Sequence, residues 1–243
     1  MKPKFYLFLS LAFCALTMSA QEVIPGGSAT AALNRDDNKE IMNQFLKGIK
    51  KNADIADDID GTPYLFDDFT KAQLLFPDND PLIAEVRYDI AKEEMHVRMD
   101  KDSYRVLHPG VSVVLNDVPY KMLSYRGTSN RAVDLLGYFA ILTPDHEDKP
   151  LVLLLKHGKK IKRARPAAAM QQARPPKYVD QEDYYLMFQG SRPVPVDRNK
   201  NRFLEEFPEE HRASIARHMK ENRLHPRSEA DLEAIVQFYN ASF

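Results

Sequence analysis

The chain has 243 residues, of which 34 are basic and 35 acidic, so its net charge is −1 and no global field directs it toward nucleic acid. It has a single cysteine, Cys14, and therefore can form neither an intramolecular disulfide nor a cysteine-based metal cluster.

The first 20 residues follow the order of a secretory signal peptide. Lys2 and Lys4 precede an apolar run at 5–18, and the small residues Ser19 and Ala20 come next. The run is shorter than the roughly 20 apolar residues that a membrane span needs. We expect cleavage near Ala20 and an extracytoplasmic mature chain, in the periplasm, at the cell surface or secreted. That mature chain would have no cysteine and no transmembrane span.

The sequence after Ala20 predicts a flexible leader followed by a helix. Residues 21–35 are rich in Gly, Ser and Ala, and residues 36–56 form an N-terminal segment with a helix predicted from Asp36 to Lys51. Its apolar residues recur at helical spacing, at Ile41, Phe45, Leu46 and Ile49. A turn rich in aspartate follows, but Ala56 occupies the first ligand position of a calcium loop, so no metal site is predicted there.

Residues 57–198 are predicted to form an antiparallel β domain. Apolar and polar residues alternate along 82–90 and again along 94–99, which is typical of a hairpin with one wet face. Residues 151–155 are continuously apolar and indicate a strand covered on both sides. We expect about 8–10 short strands arranged as a sandwich, roll or half-barrel.

Residues 199–243 are predicted to form C-terminal helices. Pro208 can start one helix, and Ser228 with Asp231 resembles a capping box at the start of the last one. The last helix has one apolar stripe, made of Leu232, Ile235, Val236 and Tyr239. The stripe should dock on the sheet, which makes the fold class α+β.

Several segments together resemble an uncharacterised family of exported Gram-negative bacterial proteins. They are Gly-Thr-Pro-Tyr-Leu at 61–65, Val-Arg-Tyr-Asp-Ile at 86–90, Leu-Gly-Tyr-Phe at 136–139, and the patterns at 177–186 and 203–240. The resemblance implies a β-rich body with C-terminal helices. It implies no catalytic or binding residues, because no activity is assigned to the family.

The sequence has no catalytic, cofactor-binding or metal-binding signature, so no such residues and no cofactor are predicted. His211, His218 and His225 are seven residues apart, and neighbours at that spacing on one helix lie about 10.5 Å apart, too far to share a zinc ion directly. The motifs H-E-x-x-H, G-x-S-x-G and G-x-G-x-x-G do not occur. Adjacent carboxylates such as Asp67-Asp68 and Glu93-Glu94 leave a hydrolase open as an alternative.

A basic segment is the clearest candidate site. Residues 149–177 contain nine Lys or Arg residues and no acid. The predicted anion-binding residues are Lys159, Lys160, Lys162, Arg163 and Arg165. On a strand, Lys160 and Lys162 share one face. The alternative is a solvated strand end that only balances acids elsewhere.

An aromatic contact surface is the second candidate. Tyr184 and Tyr185 follow each other on a predicted strand and should point to opposite faces, which would leave one ring exposed.

These patterns favour an exported, non-enzymatic binding or scaffold protein of the cell envelope. The expected partner is an anionic envelope component or a protein, and not nucleic acid. Two alternatives stay open: an extracytoplasmic hydrolase that uses paired carboxylates, and a carrier of an apolar ligand inside a curved sheet.

Overall fold

The structure is a computed structural model that describes residues 36–51, 59–126, 134–165 and 173–243. The predicted signal peptide, the leader and most of the aspartate-rich turn lie outside the described residues. Within them, eleven strands form one open antiparallel sheet, with helices packed on it.

The strands follow one another along most of the chain. In order they are β1 Leu46–Lys51, β2 Thr70–Leu75, β3 Leu82–Asp89, β4 Glu94–Arg98, β5 Ser103–Leu107, β6 Ser112–Leu115, β7 Val118–Arg126, β8 Asp134–Ile141, β9 Leu151–Lys162, β10 Lys177–Phe188 and β11 Val194–Pro195. The helices are α1 Asp36–Phe45, α2 Lys200–Glu205, α3 Glu209–Glu221 and α4 Glu229–Ser242, with a short 3-10 turn at His146–Asp148. The sheet order is β1-β5-β4-β3-β2-β6-β7-β8-β9-β10-β11.

The predicted α+β class, with antiparallel strands and C-terminal helices packed on the sheet, is confirmed. The prediction of a helix to Lys51 is wrong at its C-terminal end. The helix stops at Phe45, and Leu46–Lys51 forms β1, which pairs with β5. Gly48 weakens a helix by about 1 kcal/mol relative to alanine, and Ile49 is 72% exposed, so the apparent apolar stripe ends at Leu46.

The sheet curls strongly, although its pairing order is open. Residues 60–65, here called the strap, contact two strands that five others separate in the sheet order. At one end, the N–H of Asp60 donates to the Pro176 carbonyl (2.8 Å) and the N–H of Tyr178 donates to the Asp60 carbonyl (2.9 Å). At the other, the N–H of Leu65 donates to the carbonyl of Tyr88 in β3 (3.0 Å). So short a segment can reach both β10 and β3 only if the sheet between them bends.

The core has three parts. Aromatic rings meet inside the curl, where Tyr88 lies 5.6 Å from Tyr138 and 6.1 Å from Tyr120, and α1 packs against the same cluster. Helices α2, α3 and α4 cover Leu151 and Leu153 of β9. A third cluster, on the other face of β9, is formed by Phe139, Ile141, Val152, Leu154 and Tyr185.

The last helix docks on the sheet as its stripe predicts. Leu232, Ile235, Val236 and Tyr239 are all buried, and the backbone N–H of Asp231 donates to the Ser228 hydroxyl at the helix start. The side-chain amide of Asn240 also pairs with the backbone of Leu151. Its oxygen accepts from the N–H of Leu151 (2.9 Å), and its nitrogen donates to the carbonyl of Leu151 (2.8 Å). In the described part of the chain, no helix is long and apolar enough to cross a membrane.

Candidate anion-binding site

The basic segment folds into the outer half of a long hairpin. Strands β9 and β10 pair over 12 residues each, from Leu151 opposite Phe188 to Lys162 opposite Lys177. The ladder between β8 and β9 ends at Leu155, so the two strands beyond it form a ribbon without a β8 neighbour. We call residues 156–165 and 174–183 the basic arm.

The charge pairing changes along the arm. Near the sheet, Lys159 lies opposite Asp180, and their side chains form an ion pair of 2.5 Å. Farther out, Lys162 lies opposite Lys177, and an isolated bridge places Arg165 opposite Arg174. Like charges directly opposite each other destabilise an antiparallel pair. An anion held between these cations would remove that repulsion.

A cavity of about 160 Å³ lies among these cations. It is lined by Asp60, Lys162, Arg163, Arg165, Arg174, Pro175 and Lys177. The lining therefore combines five positive side chains with one carboxylate. Guanidinium groups match phosphate oxygens in a two-bond geometry, and lysines add point charges, so this donor set suits a phosphate or a similar oxyanion.

The structure brings together three of the five predicted residues. Lys162, Arg163 and Arg165 line the cavity, whereas Lys160 is exposed on the arm beside it and Lys159 is paired with Asp180. The sequence reasoning did not place two further lining residues, which are Arg174 and Lys177. Both belong to the acid-free segment, and pairing the two strands of the hairpin in register places Lys177 opposite Lys162 and Arg174 opposite Arg165.

The two tyrosines do not form an open surface. Tyr184 is half-buried, and its hydroxyl donates to Glu229 Oε2 (2.9 Å). Tyr185 is 3% exposed, and its ring lies 5.1 Å from that of Phe139 and 5.7 Å from that of Tyr125. Burial raises the pKa of both tyrosines, so both stay protonated. Tyr185 is therefore a core residue, and of the two rings only that of Tyr184 is partly exposed.

A second polar cluster lies where β8 and β9 separate. Glu93, in the turn between β3 and β4, forms an ion pair with Lys156, which is 8% exposed. Its Oε2 accepts from the hydroxyl of Tyr88 (2.8 Å) and from the backbone N–H of Tyr138 (2.9 Å). Burial and the charge of Glu93 raise the pKa of Tyr88, which keeps it a donor. These contacts hold the β3–β4 turn against the far side of the curl.

Two histidines, the buried His96 and the partly buried His157, lie elsewhere in the sheet. The His96 ring stacks on Tyr104 at 4.0 Å, and its Nε2 lies 3.1 Å from Glu94 Oε2. The Nε2 of His157 lies 3.3 Å from the hydroxyl of Tyr120. Among the described residues, no group of three or more His, Cys, Asp or Glu side chains could hold a metal ion.

These histidines predict a loss of stability in acid. Burial lowers the pKa of His96 and of His157 below the ordinary value of 6.5, so the folded protein binds these two protons at a lower pH than the unfolded chain does. At a pH well above 6.5 neither state binds these protons, and the histidines cause no loss of stability. As the pH falls through that value, the unfolded chain binds protons first, and the free energy of unfolding drops by up to about 1.4 kcal/mol per pH unit for each histidine.

Urea unfolding between pH 7.5 and 5, values that bracket the ordinary histidine pKa of about 6.5, measures this effect. His96→Phe preserves the stacking on Tyr104 and should reduce the pH dependence to the part that His157 contributes, whereas His225→Gln, at an exposed position, should leave it unchanged. A wild-type protein equally stable across this range would contradict the prediction.

No protein-family model, curated protein or solved structure matches the chain. The resemblance to the exported Gram-negative family thus stays a prediction.

Proposed function

We propose that the chain is an exported, non-enzymatic binding protein of the cell envelope whose basic arm binds a phosphate-bearing anion. The observation that carries the proposal is the set of five cations around one cavity, in which Lys162 faces Lys177 and Arg165 faces Arg174. The signal-peptide pattern of the first 20 residues supports export.

The surroundings of the polar groups favour binding over hydrolysis. Glu93, one of the adjacent carboxylates in the sequence, already accepts from Lys156, Tyr88 and the Tyr138 backbone. A carboxylate held by three donors is suited to holding the fold. The tyrosine rings that fill the curl likewise favour surface binding over carriage of an apolar ligand there.

Retention on phosphocellulose tests the proposal, because this matrix carries phosphate without acyl chains. The wild-type protein should bind at low salt and elute as salt rises, since exposed charges are screened within about 8 Å at physiological ionic strength. The triple variant Lys160→Glu, Lys162→Glu and Arg163→Glu should flow through. All three side chains are exposed, so the fold should change in stability by only about 0.5 kcal/mol per site.

A matched control separates local from global charge. Lys101, Lys121 and Lys220 are exposed and lie outside the basic arm. Their replacement by glutamate changes the net charge by the same amount and should leave retention close to that of the wild type. Equal retention of the arm variant and the wild type would refute the proposal.

The export half of the proposal predicts a processed N-terminus. Intact-mass measurement of the protein from its native envelope should show a chain starting near Gln21. A chain starting at Met1, or one carrying acyl groups on Cys14, would contradict cleavage near Ala20.

A further inference from the structure

One face of the basic arm combines lysines with an exposed apolar side chain. In the β9–β10 ladder, Lys160 lies opposite Val179 and Lys162 lies opposite Lys177. Residues directly opposite each other share a face, so these four side chains point the same way. Val179 is 43% exposed, and the three lysines around it are exposed too. We call these four residues the lysine face.

The opposite face of the arm has a different character. There Ile161 lies opposite Tyr178, and Lys159 lies opposite Asp180, with which it forms its ion pair. Ile161 is 53% exposed, so both faces offer one accessible aliphatic side chain. Within the β9–β10 ladder, the charged neighbours of Val179 on its face are all lysines, whereas those of Ile161 include Asp180 as well as Lys159 and, just beyond the ladder, Arg163. Asp60 of the strap pairs with Lys177 from the other side of β10 and is the one carboxylate among the cavity lining.

We infer that the anion bound by the arm is the phosphate headgroup of an anionic lipid, and that the lysine face lies on the membrane surface with Val179 at the headgroup level. This inference depends on the proposed function and specifies its ligand. It follows from charge complementarity: three lysines match a negatively charged surface, and each Lys or Arg near such a surface strengthens binding by about fivefold. The apolar Val179 would contact the acyl boundary, which a soluble phosphate does not provide.

The cavity and the lysine face share two residues, Lys162 and Lys177. A headgroup phosphate held in the cavity would therefore place its acyl chains next to Val179. The ammonium groups of Lys162 and Lys177 would contact the phosphate, while Lys160 contacts neighbouring headgroups. The two features act as one membrane-binding surface.

Tryptophan fluorescence tests the orientation directly, because the chain has no tryptophan of its own. Val179→Trp and Ile161→Trp each introduce a single fluorophore, one on each face of the same arm. With vesicles of phosphatidylcholine and phosphatidylglycerol, emission from Val179→Trp should shift to the blue and be quenched by brominated acyl chains. Emission from the matched control Ile161→Trp should change little.

Vesicle sedimentation of the unmodified protein provides a second measurement. The wild type should sediment with vesicles that contain phosphatidylglycerol and stay in solution with phosphatidylcholine alone. Val179→Ser should weaken this sedimentation by about tenfold, since one aliphatic contact is lost, but should leave phosphocellulose retention unchanged.

The possible outcomes test the identity of the ligand separately from the existence of the anion site. Retention on phosphocellulose without sedimentation would overturn the lipid inference and leave a soluble or glycan-linked phosphate as the ligand. Equal quenching at both tryptophans would overturn the assignment of the lysine face. Full retention of the triple glutamate variant would refute the anion site itself, and the lipid inference with it.

Discussion

Replacing Glu93 by alanine is expected to lower the free energy of unfolding by about 3 kcal/mol. The substitution leaves the ammonium of Lys156 nearly buried without its carboxylate, and it removes the acceptor of the Tyr88 hydroxyl and of the Tyr138 N–H. Removing one partner of a fully buried pair costs about 3–5 kcal/mol, and the side chain of Glu93 is 27% exposed, so we expect the lower end.

Urea unfolding monitored by circular dichroism measures this loss. The double variant Glu93→Gln, Lys156→Met removes both charges together and should lose less stability than Glu93→Ala, because no buried charge is left unpaired. If the single variant unfolded at the wild-type urea concentration, the ion pair would not hold the β3–β4 turn against β8 and β9.

Replacing Ile235 by alanine should cost about 2–5 kcal/mol. Ile235 is completely buried, and it belongs to the cluster that α2, α3 and α4 form over Leu151 and Leu153 of β9. The neighbouring strand end is held by Asn240 of the same helix, so loosening α4 also weakens a backbone contact of β9.

The thermal melting curve of Ile235→Ala checks this prediction, with Gln237→Ala as the control. Gln237 lies on the exposed side of the same helix and should change stability by less than about 0.5 kcal/mol. Equal melting temperatures for the two variants would show that the cluster contributes little to the docking of α4.

Local sequence patterns predicted most of the strands and helices, because burial of one face leaves a periodic pattern of apolar residues. The alternation at 82–90 and the stripe of the last helix depend only on which side chains can be buried on one face. Both segments form the elements that were predicted, β3 and α4. Strand β1 was missed because Phe45 and Leu46 continue an apparent helical stripe, while pairing with β5, more than 50 residues away, decides the structure of Leu46–Lys51 (Leu46 opposite Leu107).

Contacts between distant residues explain what the sequence could not predict. Glu93 contacts Tyr138 and Lys156, which are 45 and 63 positions away along the chain. Asp60, at the start of the strap, likewise pairs with β10, and this contact exists only because the sheet curls. No spacing rule in the sequence reports this curvature.

The basic arm was predicted in part: its charge could be read from local sequence, but its pairing could not. Its charge was visible as an acid-free run, and Lys162, Arg163 and Arg165 could be named in advance. The register of the hairpin decides which lysine forms an ion pair. Lys159 alone among the predicted residues lies opposite an acid, Asp180.

The two outer strands limit how the protein meets copies of itself. β1 has Lys47 and Lys50 along its short length, and its pairing with β5 is irregular between Leu46 and Ile49. β11 is two residues long, and one of them, Pro195, has no N–H to offer a further strand. Lysine, irregular pairing and proline are the devices by which open sheets avoid edge-to-edge aggregation. Neither of the two outer strands therefore offers another chain a long, regular edge for extending the sheet.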